Sequence, residues 1–474
     1  MSLRFFFLGN LPYFPTMNIT KVIETVFKRY LPSPFTIAIL LTLTAIILAF
    51  IFSEPSTEKN HLLTILSYWE QGIWNNGLLV FAYQMMLILV LGHVLVLSKP
   101  MSRLIMGLTK YATSTSSAVI LVSVTTMFVA FFNWGLGLIF GAILARKVGE
   151  KALKENIKIN YPLVGAAGYV GLMIWHGGIS GSAPIKVAET GHLQELMQGI
   201  SSKELLVQLP SSINFDATIF SWWNLLFFAI LLIVIPFTLH KLAKSTEPAE
   251  YHLEEYDFNL TKEDKLEGAE KLDYSKVLAI GFGVVLLATF IYQYWSNLLS
   301  LQITPNMLNF FMLGLAIILH GSFSNFLNAL EEAIKGTTGI LIQFPLYFGI
   351  MGIMKSTGMV VNISDFFSSI ATSVTLPIYT FFSAGLVNIF VPSGGGQWAI
   401  QGPIVLESAL KLGVPLPKAI MALAYGDQIT NMLQPFWALP LLGITKLKAK
   451  EILPYTLILM LVGIAVYVIG LLII

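Results

Sequence analysis

A run of three glycines between two apolar stretches is the first place where this chain could bind a small ligand. Gly394, Gly395 and Gly396 follow Ser393 and precede Gln397. Irregular backbone inside a bilayer persists only within protein or against a polar cavity, because each unpaired N–H or C=O is costly in hydrocarbon. Glycine N–H groups at a helix start attract a carboxylate, and the two polar side chains would complete its shell. The alternative is a tight glycine turn that serves helix packing.

A similar interruption occurs earlier in the chain, in the sequence FNWGLG at 132–137. Asn133, Trp134 and Gly135 would form its turn, with Asn133 as the polar group. A glycine-kinked transmembrane helix explains this motif equally well when it is taken alone. Its pairing with the later glycine run favours a second turn that faces the ligand.

The sequence HGGISGSAPIK at 176–186 cannot remain a regular helix, because it combines three glycines with a helix-stopping Pro184. Unwound carbonyls and the hydroxyls of Ser180 and Ser182 could coordinate a small cation or a substrate. His176 could bind a proton or donate to a carboxylate. The alternative is an interfacial loop in which His176 bonds to backbone.

Asp427 is an acid between two apolar segments, AIMALAYG and FWALPLLGI, so we expect it to lie within the membrane. Intramembrane acids are costly and indicate function. Asn431 lies one helical turn later, and Thr430 adds another oxygen, a set that suits Na⁺. We therefore predict that Asp427, Thr430, Asn431 and His176 couple transport to an ion, with Asp427 and Asn431 as the Na⁺ ligands. The alternatives are a protonated acid or a structural ion pair.

Composition identifies the class of protein. Hydrophobic residues make up 55% of the 474 positions and charged residues 11%, and the mean hydropathy is +0.75. These values exclude an ordinary soluble protein and indicate a polytopic membrane protein in a lipid bilayer. The net charge of +2 suggests no nucleic-acid partner. The absence of cysteine excludes a disulfide framework and a thiolate site, and no organic cofactor is expected.

The hydropathy pattern predicts an all-α protein with about 11 transmembrane helices. Two long apolar regions, 118–149 and 374–411, are interrupted near their middles and are predicted to be re-entrant hairpins. Two others, 161–187 and 415–444, are predicted to be discontinuous helices. The clear spans are predicted at 34–53, 77–98, 217–239, 275–296, 304–320, 338–355 and 453–474.

The same order of elements occurs in both halves of the chain, and an odd number of crossings in each half predicts two inverted-topology repeats. An N-terminal extension with an interfacial helix is predicted over 1–33, and the first repeat over 34–240. A charged cytoplasmic linker with a linking helix follows over 241–303, and the second repeat over 304–474.

Lysine and arginine in the short loops predict the orientation, because these residues favour the cytoplasmic side. They place the N-terminus in the cytoplasm and the C-terminus in the periplasm, with the loops 54–75 and 190–216 outside. Residues 1–16 do not resemble a cleaved signal peptide, and either Met1 or Met17 could be the start.

Three strings taken together resemble the bacterial short-chain fatty acid transporter family. They are HGGISGSAP, VPSGGGQWAIQGPIVLESA and YGDQITNMLQPFWALPLL, beginning at 176, 391 and 425, and RYLPSPFTIAILLT from 29 is similar to that family's start. The resemblance covers nearly the whole chain from about Met17. It implies uptake of acetoacetate, butyrate or similar monocarboxylates across the bacterial inner membrane, a homodimer, and an elevator-like movement.

The resemblance extends to a wider superfamily of ion-coupled carboxylate carriers, in which the dicarboxylate carriers use Ser-Asn-Thr hairpin tips to bind Na⁺ and substrate. The corresponding tips here are Asn133-Trp134-Gly135 and Ser393-Gly394-Gly395, a departure that leaves Na⁺ or H⁺ open as the coupling ion. We predict that the carboxylate binds at the two tips and the first broken helix, that tryptophans wall the acyl chain, and that cation symport compensates the substrate's charge. The substrate-binding residues are Asn133, Trp134, Gly135, Ser180, Ser182, Ser393, Gly394, Gly395, Gly396 and Gln397, and the walls are Trp134, Trp398 and Trp437.

Two other classes of function compete with this hypothesis. An intramembrane acyl- or phospho-transferase could use His176 and Asp427 as a base pair, but it would not need paired interruptions in two halves. A channel would be expected to show a ring of charged side chains, and none is evident in the sequence.

Overall fold

The computed structural model describes residues 23, 25, 26, 29, 30, 32–55, 60–197, 207–253, 268–299 and 304–474. Within these residues the protein is helical and contains no strand. Seven described helices are long and apolar enough to span a membrane, and a bent pair would make an eighth. The all-α polytopic fold is therefore confirmed. The extension 1–16, the alternative start at Met17 and most of the predicted interfacial helix lie outside the described residues.

The first half of the chain forms two long helices, a helical hairpin and a broken helix. The helices are α1 (Pro34–Phe52), α2 (His61–Ile73), α3 (Asn76–Leu97), α4 (Lys99–Thr109), α5 (Thr115–Phe132), α6 (Trp134–Lys154), α7 (Tyr161–Tyr169), α8 (Ser182–Ala188), α9 (His192–Met197) and α10 (Trp222–Ser245). We call α5 and α6 the first hairpin. We call α7, the two 3₁₀ turns Val170–Met173 and Trp175–Gly177, and α8 the first broken helix.

The second half repeats this order after two linking helices. The helices are α11 (Glu270–Asp273), α12 (Lys276–Leu299), α13 (Pro305–His320), α14 (Phe323–Ile334), α15 (Thr338–Ser356), α16 (Met359–Ser369), α17 (Leu376–Phe390), α18 (Gly394–Leu412), α19 (Leu416–Thr430), α20 (Pro435–Thr445) and α21 (Ala449–Ile473). A 3₁₀ turn, Lys335–Thr337, precedes α15. We call α17 and α18 the second hairpin. We call α19, the 3₁₀ turn Asn431–Leu433 and α20 the second broken helix.

Close packing of its arms shows that the first hairpin reverses direction. A Cβ added to Gly137 would lie 2.5 Å from Ala130, and one added to Gly141 would lie 2.8 Å from Thr126. Asn133, between the arms, has extended backbone angles. The predicted hairpin over 118–149 is therefore confirmed, since a continuous helix would keep these residues apart.

The second hairpin and both broken helices are also where the sequence predicts them. Gln397 on α18 donates its amide to the carbonyl of Ala384 on α17 at 2.9 Å, which requires the two arms to lie side by side. The α17 arm packs on α19, as α5 packs on α7. Each broken helix thus supports the hairpin of its own half.

The prediction that 54–75 is a loop is wrong for 61–73. Helix α2 occupies this segment and packs against α15, where a Cβ on Gly72 would lie 3.0 Å from the backbone of Gly349 and Gly352. Its 13 residues are too few to cross a bilayer, so a search for long apolar spans misses it. The span predicted at 217–239 also begins later, at Trp222.

Candidate functional site

The start of α18 is built to present backbone N–H groups. Ser393 caps the helix, because its hydroxyl accepts the N–H of Gly396 at 3.2 Å and its carbonyl accepts the N–H of Gln397 at 2.7 Å. The N–H groups of Gly394 and Gly395 come first in the helix, where no acceptor exists within the helix itself. They are the donors that an anion would meet, together with the positive end of the helix dipole.

Exposure shows which residues border the open side of this turn. Gly395 is exposed, and Ser393, Gly396 and Ser182 are partly exposed, although the surrounding helices are buried. The nearest group to a Cβ on Gly395 would be Ser182, at 3.9 Å. Gly395, Ser393 and Ser182 therefore lie at the accessible side of this turn, and their role as substrate ligands stays a prediction.

Gln397 does not face this space. Its side chain is fully buried and donates to the carbonyl of Ala384 at 2.9 Å and to Gln401 at 2.7 Å. The amide joins the two arms of the second hairpin, so its N–H groups are used within the protein and do not face a ligand. Its side-chain oxygen has no hydrogen-bond partner among the described residues.

The tip of the second hairpin rests directly on the first broken helix. A Cβ added to Gly394 would lie 2.7 Å from Trp175 Cη2, 2.9 Å from His176 Cε1 and 3.2 Å from the hydroxyl of Ser182. Only glycine fits this close approach. The two halves of the molecule therefore meet at the candidate site.

His176 and Asp427 form a buried pair beneath the tip. Asp427 bonds to Nδ1 of His176, while Nε2 of the same ring accepts the N–H of Ala183 at 3.0 Å. A neutral imidazole has one donor and one acceptor, so the proton lies on Nδ1 and faces the carboxylate. Gln428 fixes this arrangement by accepting the N–H groups of His176 and Gly177 at 2.8 and 3.1 Å.

The other predicted ion ligands lie on the far side of Asp427. Asn388 of α17 donates to the Asp427 carbonyl at 2.6 Å, to Thr430 at 3.0 Å and to the Asn431 side-chain oxygen at 2.7 Å. Asn388 therefore occupies the space between Asp427 and Asn431. Asn388, Asn431 and Gln434 each keep one buried side-chain atom that has no hydrogen-bond partner within the described part of the chain. Within the described part of the chain, no group of three or more His, Cys, Asp or Glu side chains could hold a metal ion.

The first hairpin uses its predicted site residues for its own structure. The Asn133 side chain caps α6 by accepting the N–H of Leu136 at 2.9 Å. Ser180 accepts the N–H of Trp134 at 2.9 Å, which joins the tip to the first broken helix. A Cβ on Gly135 would lie 3.6 Å from Ile88, away from the second tip. Asn133 and Ser180 thus make hydrogen bonds within the protein, and Gly135 packs against Ile88.

An aromatic cluster connects the two tips. The ring centroid of Trp134 lies 5.2 Å from that of Trp437 and 5.8 Å from that of Trp175, and Phe81 lies 6.4 Å from Trp437. Trp134 and Trp437 are thus together, as the prediction of an apolar wall requires. Trp175 and Phe81 were not predicted.

Trp398 lies elsewhere. Its indole N–H donates to His192 Nε2 at 3.0 Å, and the ring packs in a separate apolar cluster with Ala183, Val187 and Leu193. Burial lowers the pKa of His192, and the charge of Lys186 lowers it further. Trp398 therefore anchors α18 to α8 and α9, and it does not join the aromatic cluster at the tips.

Comparison with known proteins identifies the family. The family described as Short chain fatty acid transporter matches residues 16–474. The chain belongs to the short-chain fatty acid transporter family. This member is a multi-pass membrane transporter and not an enzyme, so the transferase alternative for His176 and Asp427 is wrong.

Relatives of this short-chain fatty acid transporter family member align with nearly all of its length. A protein of Escherichia coli (strain K12) is 35% identical over 96% of this chain and 99% of its own. One of Haemophilus influenzae (strain ATCC 51907 / DSM 11121 / KW20 / Rd) is 33% identical over the same shares. Both bear the name "Putative short-chain fatty acid transporter".

Two solved transporter structures are also similar. MtrF of Neisseria gonorrhoeae, described with a class of antimetabolite efflux pumps, is 17% identical with a TM-score of 0.42, over 95% of this chain and 97% of that chain. The Alcanivorax borkumensis YdaH transporter, described as having an unusual topology, is 14% identical with a TM-score of 0.43, over 92% of this chain and 98% of that chain.

Proposed function

We propose that this protein takes up short-chain monocarboxylates, such as butyrate or acetoacetate, across the bacterial inner membrane by cation symport. The observation that carries the proposal is the accessible start of α18, where the N–H groups of Gly394 and Gly395 face the Ser182 and Ser393 hydroxyls. Neutral donors at a helix start suit one carboxylate. The family name given to the relatives supports the same class of substrate.

A cation would enter with the substrate to compensate its charge. An inside-negative potential opposes anion entry by about 2.3 kcal/mol per elementary charge per 100 mV. The carboxyl group of Asp427 is buried beside His176, and Thr430 and Asn431 bring oxygens to the same helix break. We propose that these residues bind Na⁺ or H⁺, with Asp427 and Asn431 as the ligands if the ion is Na⁺.

The proposed movement is elevator-like. The second hairpin shares an apolar cluster with α8, α9 and α19, while other residues of α17 and α19 belong to the main core. We propose that the elements of this cluster move together. We propose a homodimer, with the N-terminus in the cytoplasm and the C-terminus in the periplasm. The basic residues of α4, of the end of α6 and of the segment that follows α20 support this orientation.

Uptake by proteoliposomes tests the proposal. Labelled butyrate should accumulate saturably under one of two imposed gradients, a Na⁺ gradient or a pH gradient. The gradient that drives accumulation identifies the coupling ion. Gly395→Val should block binding, because its side chain would fill the space in front of Ser182.

Gly281→Val is the matched control, since a Cβ there would meet no atom within 4 Å and α12 lies outside the site. Normal butyrate affinity in Gly395→Val would refute the assignment of the tip. An absence of uptake under both gradients would refute monocarboxylate symport.

A further inference from the structure

The two breaks in the broken helices are each held by a residue from the other half of the chain. We call the 3₁₀ turn Trp175–Gly177 the first break and the 3₁₀ turn Asn431–Leu433 the second break. Buried hydrogen bonds join each break to the helix that leads into the other. Two residues that are not among the predicted ligands, Tyr169 and Gln428, make these bonds.

Gln428, on α19, clamps the first break. Its side-chain oxygen accepts the N–H groups of His176 and Gly177 at 2.8 and 3.1 Å, and its side-chain nitrogen donates to the Tyr467 hydroxyl at 2.8 Å. That hydroxyl donates in turn to the carbonyl of Met173 at 3.1 Å. Because a tyrosine hydroxyl has a single proton, it accepts from Gln428, and the amide oxygen is therefore fixed toward the first break.

Tyr169, the last residue of α7, clamps the second break. Its hydroxyl lies 2.9 Å from the carbonyl oxygen of Asn431 and 3.2 Å from that of Gln434. Asn431 begins the turn and Gln434 follows it, so one hydroxyl spans the second break. Tyr169 and Gln428 are both fully buried, and a hydrogen bond is costly to lose where water cannot replace it.

The two clamps connect the two proposed sets of ligands. The first break contains His176 and leads to Ser182 beside the second tip, while the second break follows Asp427 and contains Asn431. A shift of either break is therefore transmitted to the other through a contiguous set of buried bonds. The bond between His176 and Asp427 also joins the two breaks, but it uses groups assigned to the cation. The clamps use neither a carboxylate nor an imidazole.

Building on the proposed function, we propose that Tyr169 and Gln428 are positioning residues that couple cation binding to substrate binding. They fix the two breaks relative to each other, so that a ligand bound at one favours binding at the other. When one clamp is missing, the transporter still exchanges butyrate, but the cation and the substrate bind more independently. A cation gradient then drives less accumulation.

The test compares accumulation with counterflow, in which proteoliposomes loaded with unlabelled butyrate exchange it for labelled butyrate. Tyr169→Phe and Gln428→Met each remove one clamp and keep a side chain of similar size. The amount of reconstituted protein is adjusted until the wild type and each variant show the same rate of counterflow. Accumulation is then measured under the gradient that drives uptake by the wild type.

We expect each variant to accumulate at least about fivefold less butyrate than the wild type, the lower end of the usual coupling between two sites. A variant that only folds less well would match the wild type, because equal counterflow corrects for the number of working molecules. If Gln428→Met shows no counterflow, Tyr467→Phe takes its place, since it keeps the Gln428 oxygen and releases only its orientation. This milder variant should show a smaller loss in the same direction.

Tyr161→Phe is the matched control. Tyr161 lies at the other end of α7, is also buried, and donates its hydroxyl to the carbonyl of Thr445 at the end of α20 at 2.9 Å. Its loss removes the same kind of bond between the same two broken helices, but away from the breaks, so accumulation should equal that of the wild type.

Normal accumulation in Tyr169→Phe and in the variant of the Gln428 clamp, or an equal loss in Tyr161→Phe, would overturn the proposal and leave the proposed function intact. An absence of butyrate exchange and uptake by the wild type would refute the proposed function itself.

Discussion

The two hairpins follow one plan but differ at their tips. In the first, Asn133 caps its own helix, Ser180 bonds the tip to the first broken helix, and the arms pack through Gly137 and Gly141. In the second, Gly395 is exposed and the arms are joined by the buried amide of Gln397. The first hairpin therefore serves as a support, while the second presents free donors. Symmetric elements need not share one chemical role.

The strongest test of this difference adds one methyl group at each tip. Gly394→Ala should reduce butyrate counterflow at least about tenfold, because overpacking against Trp175 and His176 costs roughly 1–3 kcal/mol. Gly135→Ala should change it by less than about twofold, because its nearest neighbour would be Asn133 at an ordinary 3.5 Å. An equal loss of counterflow in both variants would contradict the different roles assigned to the two hairpin tips.

The second test concerns the pair beneath the second tip. Asp427→Asn should abolish concentrative uptake and leave counterflow measurable, because the amide oxygen can still accept from His176 but carries no charge. Accumulation in proteoliposomes and counterflow are measured on the same preparation. Glu407→Gln is the control, since its ion pair with Lys411 is partly exposed and contributes little. Unchanged accumulation would remove Asp427 from ion coupling.

The smallest effect is expected where α18 meets α9. His192 accepts from Trp398 only while its Nε2 is unprotonated, and burial lowers the pKa of His192 in the folded protein. The stabilisation is therefore complete above the ordinary histidine pKa and is lost as the pH falls below it. Neighbouring Glu189 and Glu195 act in the opposite direction to Lys186.

Thermal unfolding at different pH values measures this contribution. Between about pH 7 and about pH 5 the wild type should lose about 2 °C more in Tm than His192→Gln, whose amide accepts from Trp398 at every pH. An identical pH dependence in both proteins would show that the contact does not stabilise the second hairpin.

The sequence alone predicts much of this fold because each interruption has a local cause. Clusters of glycine, proline and polar residues within apolar stretches favour helix breaks, so both hairpins and both broken helices could be located. Asp427 could be singled out because it is an acid within an apolar stretch of the sequence. Helix α2 was missed, because a helix shorter than a membrane span gives no hydropathy signal.

The contacts between distant segments could not be predicted. His176 and Asp427 are separated by 251 positions, and only the packed structure brings them together. Asn388 gave one signal, an amide in the apolar arm LVNIFV, but its partners depend on how α17 packs on α19. Asn133 turned inward as a cap, a role that its residue type permits as readily as ligand binding.

Thiol labelling tests the central claim most directly, because the natural chain has no cysteine. Gly395→Cys and Gly135→Cys are reconstituted and treated with a small polar thiosulfonate, with and without butyrate. Cysteine at 395 should react, because that position is exposed, and butyrate should slow the reaction. Cysteine at 135 should react slowly whether butyrate is present or not, because Gly135 is buried. Labelling at 395 that butyrate does not change, or protection at 135 alone, would contradict the assignment of the second hairpin as the substrate site.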